Sequence, residues 1–294
     1  MNLTNDSAWP PLSIGSPGQA ALRVGSGKPP PMNWPADLAV SACIAYGLDV
    51  RAASGRGVMH RHRDGPRQDA FGIRDLGDDA GGIAVVVCDG VGSLALSHIA
   101  AEQVVNSMLE AFTVTRDWSE AIREANSDLT EYIASHEAQG TMATTIIAAA
   151  VYPGPGDVWR VDAASIGDSD LWHLADTKWT KLLPPADQTH EADAEMYDGR
   201  TKALPTAALR SCQWTGEVTH GALFLMSDGV GLPLAMSTEV EQTLATWWAN
   251  PPPVLDFAAQ VGFARLSFTD DRTVVGVWPI ARSSGAGIAD GVIG

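Results

Sequence analysis

The chain has 294 residues, 45% of them hydrophobic and 18% charged, enough for one large core or two small ones. Its 35 acidic against 19 basic residues give a formal net charge of -16. That balance argues against a nonspecific nucleic-acid binder or a polybasic membrane-surface protein, since both depend on Lys and Arg. The three cysteines, Cys43, Cys88 and Cys212, form no CxxC pair, so neither a disulfide framework nor a thiolate zinc site is expected.

Residues 1–40 concentrate Gly, Pro and Ser and are expected to be an N-terminal extension, with Trp9 and Trp34 as anchors to the body. The opening MNLTNDSAWPPLSIG has neither a basic n-region nor an apolar h-region, and a cytoplasmic location is expected. Residues 41–54 suit a strand. GIAVVVCDG is an apolar run ending on Asp89-Gly90, the pattern of a strand buried on both faces. Helical periodicity follows over 98–112 and again over about 119–137. MATTIIAAAVY and DVWRVDAASIG then form a hairpin about the turn at 153–156. Further strands are expected at 170–174, 178–182, 222–226 and 272–278, with helices at 238–248 and 254–266. The longest apolar run, 142–152, is too short to span a membrane. Hairpins flanked by helix pairs predict an α+β fold of antiparallel sheets covered by helices.

Five of these apolar segments begin or end on aspartate: Asp69, Asp89, Asp168, Asp228 and the pair Asp270-Asp271. One carboxylate at a strand end usually caps a turn. Five in one packed sheet system converge on a shared edge, and they cannot all stay ionised there without a compensating cation. Magnesium and manganese are hard cations that prefer carboxylate, carbonyl and water oxygens.

The order R-Q-D-A-F (67–71), V-C-D-G-V-G (87–92), G-T-M-A-T-T (140–145), I-G-D-S (166–169), M-S-D-G (226–229) and D-D-R-T-V-V (270–275) resembles the metal-dependent type 2C protein phosphatases, the PPM family, in a bacterial branch. The resemblance implies a four-layer αββα sandwich over residues 41–282, a flap at about 176–203, and a flexible tail at 283–294. It implies two Mn2+ or Mg2+ ions and a third, weaker one. Asp89 would bridge the two ions, the Gly90 carbonyl would bind one, and Asp228 and Asp270 the other. Asp69 would complete the set, Asp168 would hold the third ion, and Asp271 would support Asp270. A hydroxide bridging the ions would then attack phosphoserine or phosphothreonine in a phosphoprotein supplied by an opposing Ser/Thr kinase.

The chain departs from the family at three positions, one of them Asp170, which stands in a turn where arginine is usual. The place of the phosphate-holding arginine is Asp64, which leaves Arg63, or else Arg67, to hold phosphate. The place of the histidine general acid is Val91, which leaves water, His60 or His62. Two rival readings are weighed beside this one. Gly90 to Ala95 matches a GxGxxA dinucleotide fingerprint, but a second helix follows where that unit demands a strand. A non-catalytic, phosphatase-like regulatory binding module would share the fold, but a degenerate copy tends to lose aspartates and none is lost here.

Overall fold

The strand alternation explains the layering. In the computed structural model, which describes residues 12–17, 31–77, 79, 81–155, 158–183, 202–207 and 209–280, Ile83–Cys88 (β4) is buried on both faces. Ile83, Val85 and Val87 point one way into a sheet-to-sheet core, while Ala84, Val86 and Cys88 point the other way onto helices. A run of β-branched residues with no polar side suits the middle of a sandwich, where each strand has two dry faces.

Two antiparallel sheets result. One holds Ala70–Asp75 (β3), β4, Ile146–Pro153 (β5), Trp159–Ile166 (β6) and Cys212–Val218 (β9) in the order β3-β4-β5-β6-β9. The other holds Leu38–Ala45 (β1), Leu48–Gly55 (β2), Asp170–Ala175 (β7), Lys178–Lys181 (β8), Ala222–Met226 (β10) and Arg272–Pro279 (β11) in the order β1-β2-β11-β10-β7-β8. Between them Leu48, Val50, Val161, Leu223, Leu225, Val275 and their neighbours form a dry layer. Ser97–Thr115 (α2) and Trp118–Ser135 (α3) cover the outer face of the first sheet. Asp228–Met236 (α4), Thr238–Trp248 (α5) and Val254–Val261 (α6) cover the second. A short helix, Val58–His62 (α1), lies on the crossing from β2 to β3. The fold is the expected α+β arrangement in four layers. Among the described residues no helix is long and apolar enough to cross a membrane.

Several expected elements shift. The strand expected over 41–54 is a hairpin, β1 and β2, turning at Tyr46 and Gly47 with φ of 53° and 74°. Because β1 opens at Leu38, the expected extension 1–40 overlaps it by three residues. Part of that extension is packed: Ile14 is buried in the helix-side core, and Arg56 lies over the Trp34 ring at 5.6 Å. The helix expected over 254–266 stops at Val261. Beyond the Gly262 cap, the Ala264 and Leu266 N–H groups donate to Leu12 and Ser16 carbonyls instead of continuing the helix. Trp9, most of the expected flap (184–201) and the tail 283–294 lie outside the described residues.

Phe224 anchors the second helical layer. It is fully buried, with its ring 5.2 Å from Trp248, 5.1 Å from Trp179 and 5.1 Å from Trp278. Phe224→Ala leaves a cavity that rigid indoles cannot fill, and should cost about 3–5 kcal/mol in urea unfolding. A loss below about 1 kcal/mol would show that this layer does not carry the stability assigned to it.

Candidate metal centre

Both sheets deliver their aspartates to the same end. In the first, Ala70 pairs with Cys88, Val87 with Ile147 and Ile146 with Ile166, which places Asp69, Asp89, Thr144-Thr145 and Asp168 along one edge. In the second, Met226 pairs with both Val274 and Asp170, and Arg272 with Gly55, which places Asp228, Asp270 and Gly57 along another. The connection 167–169 steps from β6 straight into β7, so the two edges meet.

The electrostatics show which carboxylates converge. Burial pushes Asp89 well above the usual carboxylate range, and Asp69, Asp228, Asp270 and Asp168 all add to the push. Asp69 is raised to about 8 by burial and then by Asp271, against hydrogen bonds from the Thr273 and Ser227 hydroxyls. Asp228 is raised to about 6 by burial, Asp270 and Asp168, and it hydrogen-bonds to Asp89. Burial and Asp271 likewise raise Asp270. Like charges at this density cannot all ionise alone.

The backbone is shaped around this cluster. A Cβ on Gly90 would sit 2.6 Å from the Gln68 carbonyl and 2.9 Å from that of Ser97, so only glycine fits beside Asp89. The Asp89 carbonyl accepts from Thr145 N at 2.8 Å and Thr144 Oγ1 at 2.9 Å. Asp228 opens α4, where the positive end of the helix dipole favours a carboxylate. Gly229 and Gly57 both press against the Asp270-Asp271 backbone, where any Cβ would overlap it.

Asp271 has a separate task. Its oxygens accept from Gly57 N and Gln68 N, each at 2.5 Å, and His60 Nδ1 lies 2.8 Å from Oδ1 as an ion-pair contact. Among the described residues, His60, Asp270 and Asp271 form a group whose ligand atoms lie within 4.8 Å of one another. The Asp271 carboxylate is committed to those donors and supports its neighbours. Burial pulls the His60 imidazole towards the neutral form, but the bond and charge of Asp271 outweigh it and the group is raised.

The arginines and histidines divide sharply. Arg67 does not face the site as a phosphate ligand. It is buried, donating from Nε to Ala36 O at 3.0 Å, from Nη1 to Ser54 Oγ at 2.8 Å and to the Asp69 carbonyl, so it holds the backbone of an aspartate. Arg63 is exposed at the end of α1. His60 is 3% exposed, with both ring nitrogens shut off from solvent, which leaves it badly placed to meet a leaving group, whereas His62 is exposed. Burial takes Arg272 down to about 10 against the pull of Asp270 and Asp228, so it stays a cation.

Sequence reasoning missed the polar floor: Ser54, Ser227 and Thr273, all fully buried, join through Thr273 Oγ1 to Ser54 Oγ at 2.6 Å and Thr273 N to Ser227 Oγ at 3.0 Å. Their one signal was a hydroxyl at a strand end: Ser54 in β2, Thr273 in β11 and Ser227 just after β10. The donor set fits a hard divalent cation. It is all oxygen, and Asp69 Oδ2 is buried with no hydrogen-bond partner.

A family model described as Protein phosphatase 2C matches residues 56–255, more than half of the chain. No curated protein sequence matches it. Among solved structures, the S. agalactiae serine/threonine phosphatase is similar with TM-score 0.58 and 21% identity, over 79% of this chain and 99% of that one. The Mycobacterium tuberculosis serine/threonine phosphatase PstP/Ppp gives TM-score 0.52 and 19% identity, over 79% and 98%. The catalytic domain of PstP in complex with two manganese ions gives 0.55 and 20%, over 79% and 97%. At these identities the structural likeness speaks for the fold.

The raised carboxylates set the pH response of the metal-free protein. Asp69 and Asp228 have folded values of about 8 and about 6 against an ordinary 3.8, so the folded state holds protons that the unfolded chain releases. Stability without metal therefore falls as pH rises through that window. In chelator, Tm should be higher at about pH 5.5 than at about pH 8. Asp89→Asn, which removes a repelled charge, should raise the chelated Tm at about pH 8 and abolish the rise that manganese produces in the parent protein. A flat profile, or an Asn variant that manganese still stabilises, would dissolve the cluster as described.

Proposed function

The chain belongs to the protein phosphatase 2C family, and from that premise we propose that it hydrolyses phosphoserine and phosphothreonine monoesters in proteins with the help of two Mn2+ or Mg2+ ions. The observation that carries this reading is the gathering of buried Asp69 and half-buried Asp89, Asp228 and Asp270 at one edge, each pushed up by its neighbours, with an unpartnered Asp69 oxygen among them. Asp69, Asp89, Asp228 and Asp270, with the Gly90 carbonyl, would hold the two ions. Asp168, whose charge reaches both Asp89 and Asp228, would hold a third, weaker one. The similarity to PstP, described in complex with two manganese ions, supports the count. Bound there, such ions acidify water and neutralise the oxygens of an in-line phosphoryl displacement.

The remaining work falls to the protein's own groups. Arg63, exposed at the end of α1, holds the phosphate dianion at the mouth of an acidic site, a charge-assisted contact that also orients it. Arg67 fixes the Asp69 backbone, and Asp271 ties Gly57, His60 and Gln68 around the same corner. Because His60 is enclosed, solvent water or His62 gives the leaving alkoxide its proton. No cysteine takes part: burial pushes the Cys88 thiol up, far from the reactive thiolate. The substrate class is a phosphoprotein made by an opposing Ser/Thr kinase, met in the cytoplasm.

Turnover of p-nitrophenyl phosphate and of a phosphothreonine peptide should appear with manganese and vanish with chelator. Asp89→Asn should reduce it to the chelator level while the folded far-UV signal persists. Arg63→Ala should raise KM about 10–100-fold, the value of one charge-assisted contact of about 1.5–3 kcal/mol, and change kcat less. Well-folded, manganese-loaded protein without turnover would sink the hydrolase reading in favour of a phosphatase-like binding module.

A further inference from the structure

Both peptide groups flanking Gly90 are fixed by the strand opposite. Thr145 N donates to Asp89 O at 2.8 Å and Val91 N to Ala143 O at 2.9 Å, so Gly90 faces Thr144 in an antiparallel bridge. The 90–91 peptide is trans, and in a trans peptide the N–H and C=O point opposite ways. With the Val91 N–H turned to Ala143, the Gly90 carbonyl points away from that strand, towards β3.

On that side a donor is due and is withheld. Ala70 pairs with Cys88, so two more residues of the same ladder would set the Gln68 N–H on the Gly90 carbonyl. Asp271 Oδ2 takes that N–H instead, at 2.5 Å. Gly90 is buried, and no described residue donates to its carbonyl. A buried carbonyl ordinarily has a partner. A water or a hard cation can take the place, and the aspartates gathered around Asp89 favour the cation.

Two fully buried hydroxyls hold this arrangement, those of Thr144 and Ser97. Thr144 Oγ1 gives Asp89 O a second bond, at 2.9 Å. Ser97 Oγ accepts from Ala143 N at 3.3 Å and donates to Val91 O at 3.0 Å. Thr144 is itself anchored from behind: its N–H donates to Leu204 O at 3.0 Å, and Leu204 N donates to Thr144 O at 2.8 Å. Glycine has the widest backbone freedom, so the direction of the Gly90 carbonyl depends on these bonds to its neighbours.

We propose that Thr144 and Ser97 are positioning residues that aim the Gly90 carbonyl as a ligand for a divalent ion. Each acts through the backbone of residues 89–91. The proposal rests on the reading of the aspartate edge as a metal centre.

The test follows manganese binding by titration calorimetry on the full, metal-free chain, with Tm in chelator recorded for every variant. Thr144→Val leaves Asp89 O its bond from Thr145 N, so the fold in chelator should lose little. Thr144→Val and Ser97→Ala should each weaken manganese binding roughly 10–100-fold, the usual effect of losing a group behind a metal ligand. Thr144→Ser, which keeps the hydroxyl, should restore most of the affinity. If Thr144→Val does not fold, Ser97→Ala decides alone. The proposal falls if the variants bind manganese as the parent does, or if Thr144→Ser binds no better than Thr144→Val. It falls equally if affinity drops only where the fold in chelator is lost, as for a merely structural role. A parent that binds manganese without turnover ends the hydrolase reading alone, whereas a parent that binds no manganese ends both.

Discussion

Repulsion among buried carboxylates is the constraint around which the rest of this molecule is arranged. Asp89 feels four other aspartates at a partly buried position, and without counter-charge such a group gives up its ionisation. The fold keeps them together because each sits at the end of a strand whose apolar residues leave it no alternative place. β4 is dry on both faces, so the residue after it must emerge where β4 ends. The stabilisation of the sandwich thus holds together a charge cluster that is unfavourable by itself and becomes favourable with cations.

Close backbone approach is the second requirement. Gly57, Gly90 and Gly229 stand just beyond strand ends, where the segments flanking neighbouring strands of one sheet touch main chain to main chain, and a methyl group at any of them would meet a carbonyl. Arg67 and Asp271 do with side chains what those glycines do with space. One clamps the carbonyl of Asp69, and the other gathers the N–H groups of Gly57 and Gln68 with the ring of His60. Charged residues therefore serve here in two ways, some facing the centre and others fastened behind it.

The fold was legible wherever one periodicity ran uninterrupted. β4, β10 and α5 come out with bounds at or near those expected, because a continuous apolar run or a 3.6-residue repeat left few alternatives. α4 escaped notice because Gly229, Gly231 and Pro233 read as breakers, although its residues are held from both sides by β11 and α5. β9 escaped although Cys212–Val218 alternates inward-facing and exposed residues, because polar Gln213, Thr215 and Glu217 and the internal Gly216 leave few apolar residues to mark it at a sheet edge. The end of α6 depended on residues about 250 positions away, whose carbonyls compete for its N–H groups.

The amino-acid order alone determined the class of fold and the recurrence of aspartate at strand ends, because alternation and chain punctuation are local properties. It also showed which side chains were absent from their usual places. Tertiary structure alone decided which charged groups face inward. Arg63 and Arg67 are four residues apart and chemically identical, yet one lies in water and the other is spent on Ala36, Ser54 and Asp69. His60 and His62 part in the same way. The role of a polar group depends on its desolvation and its partners, and both are set by segments distant in sequence.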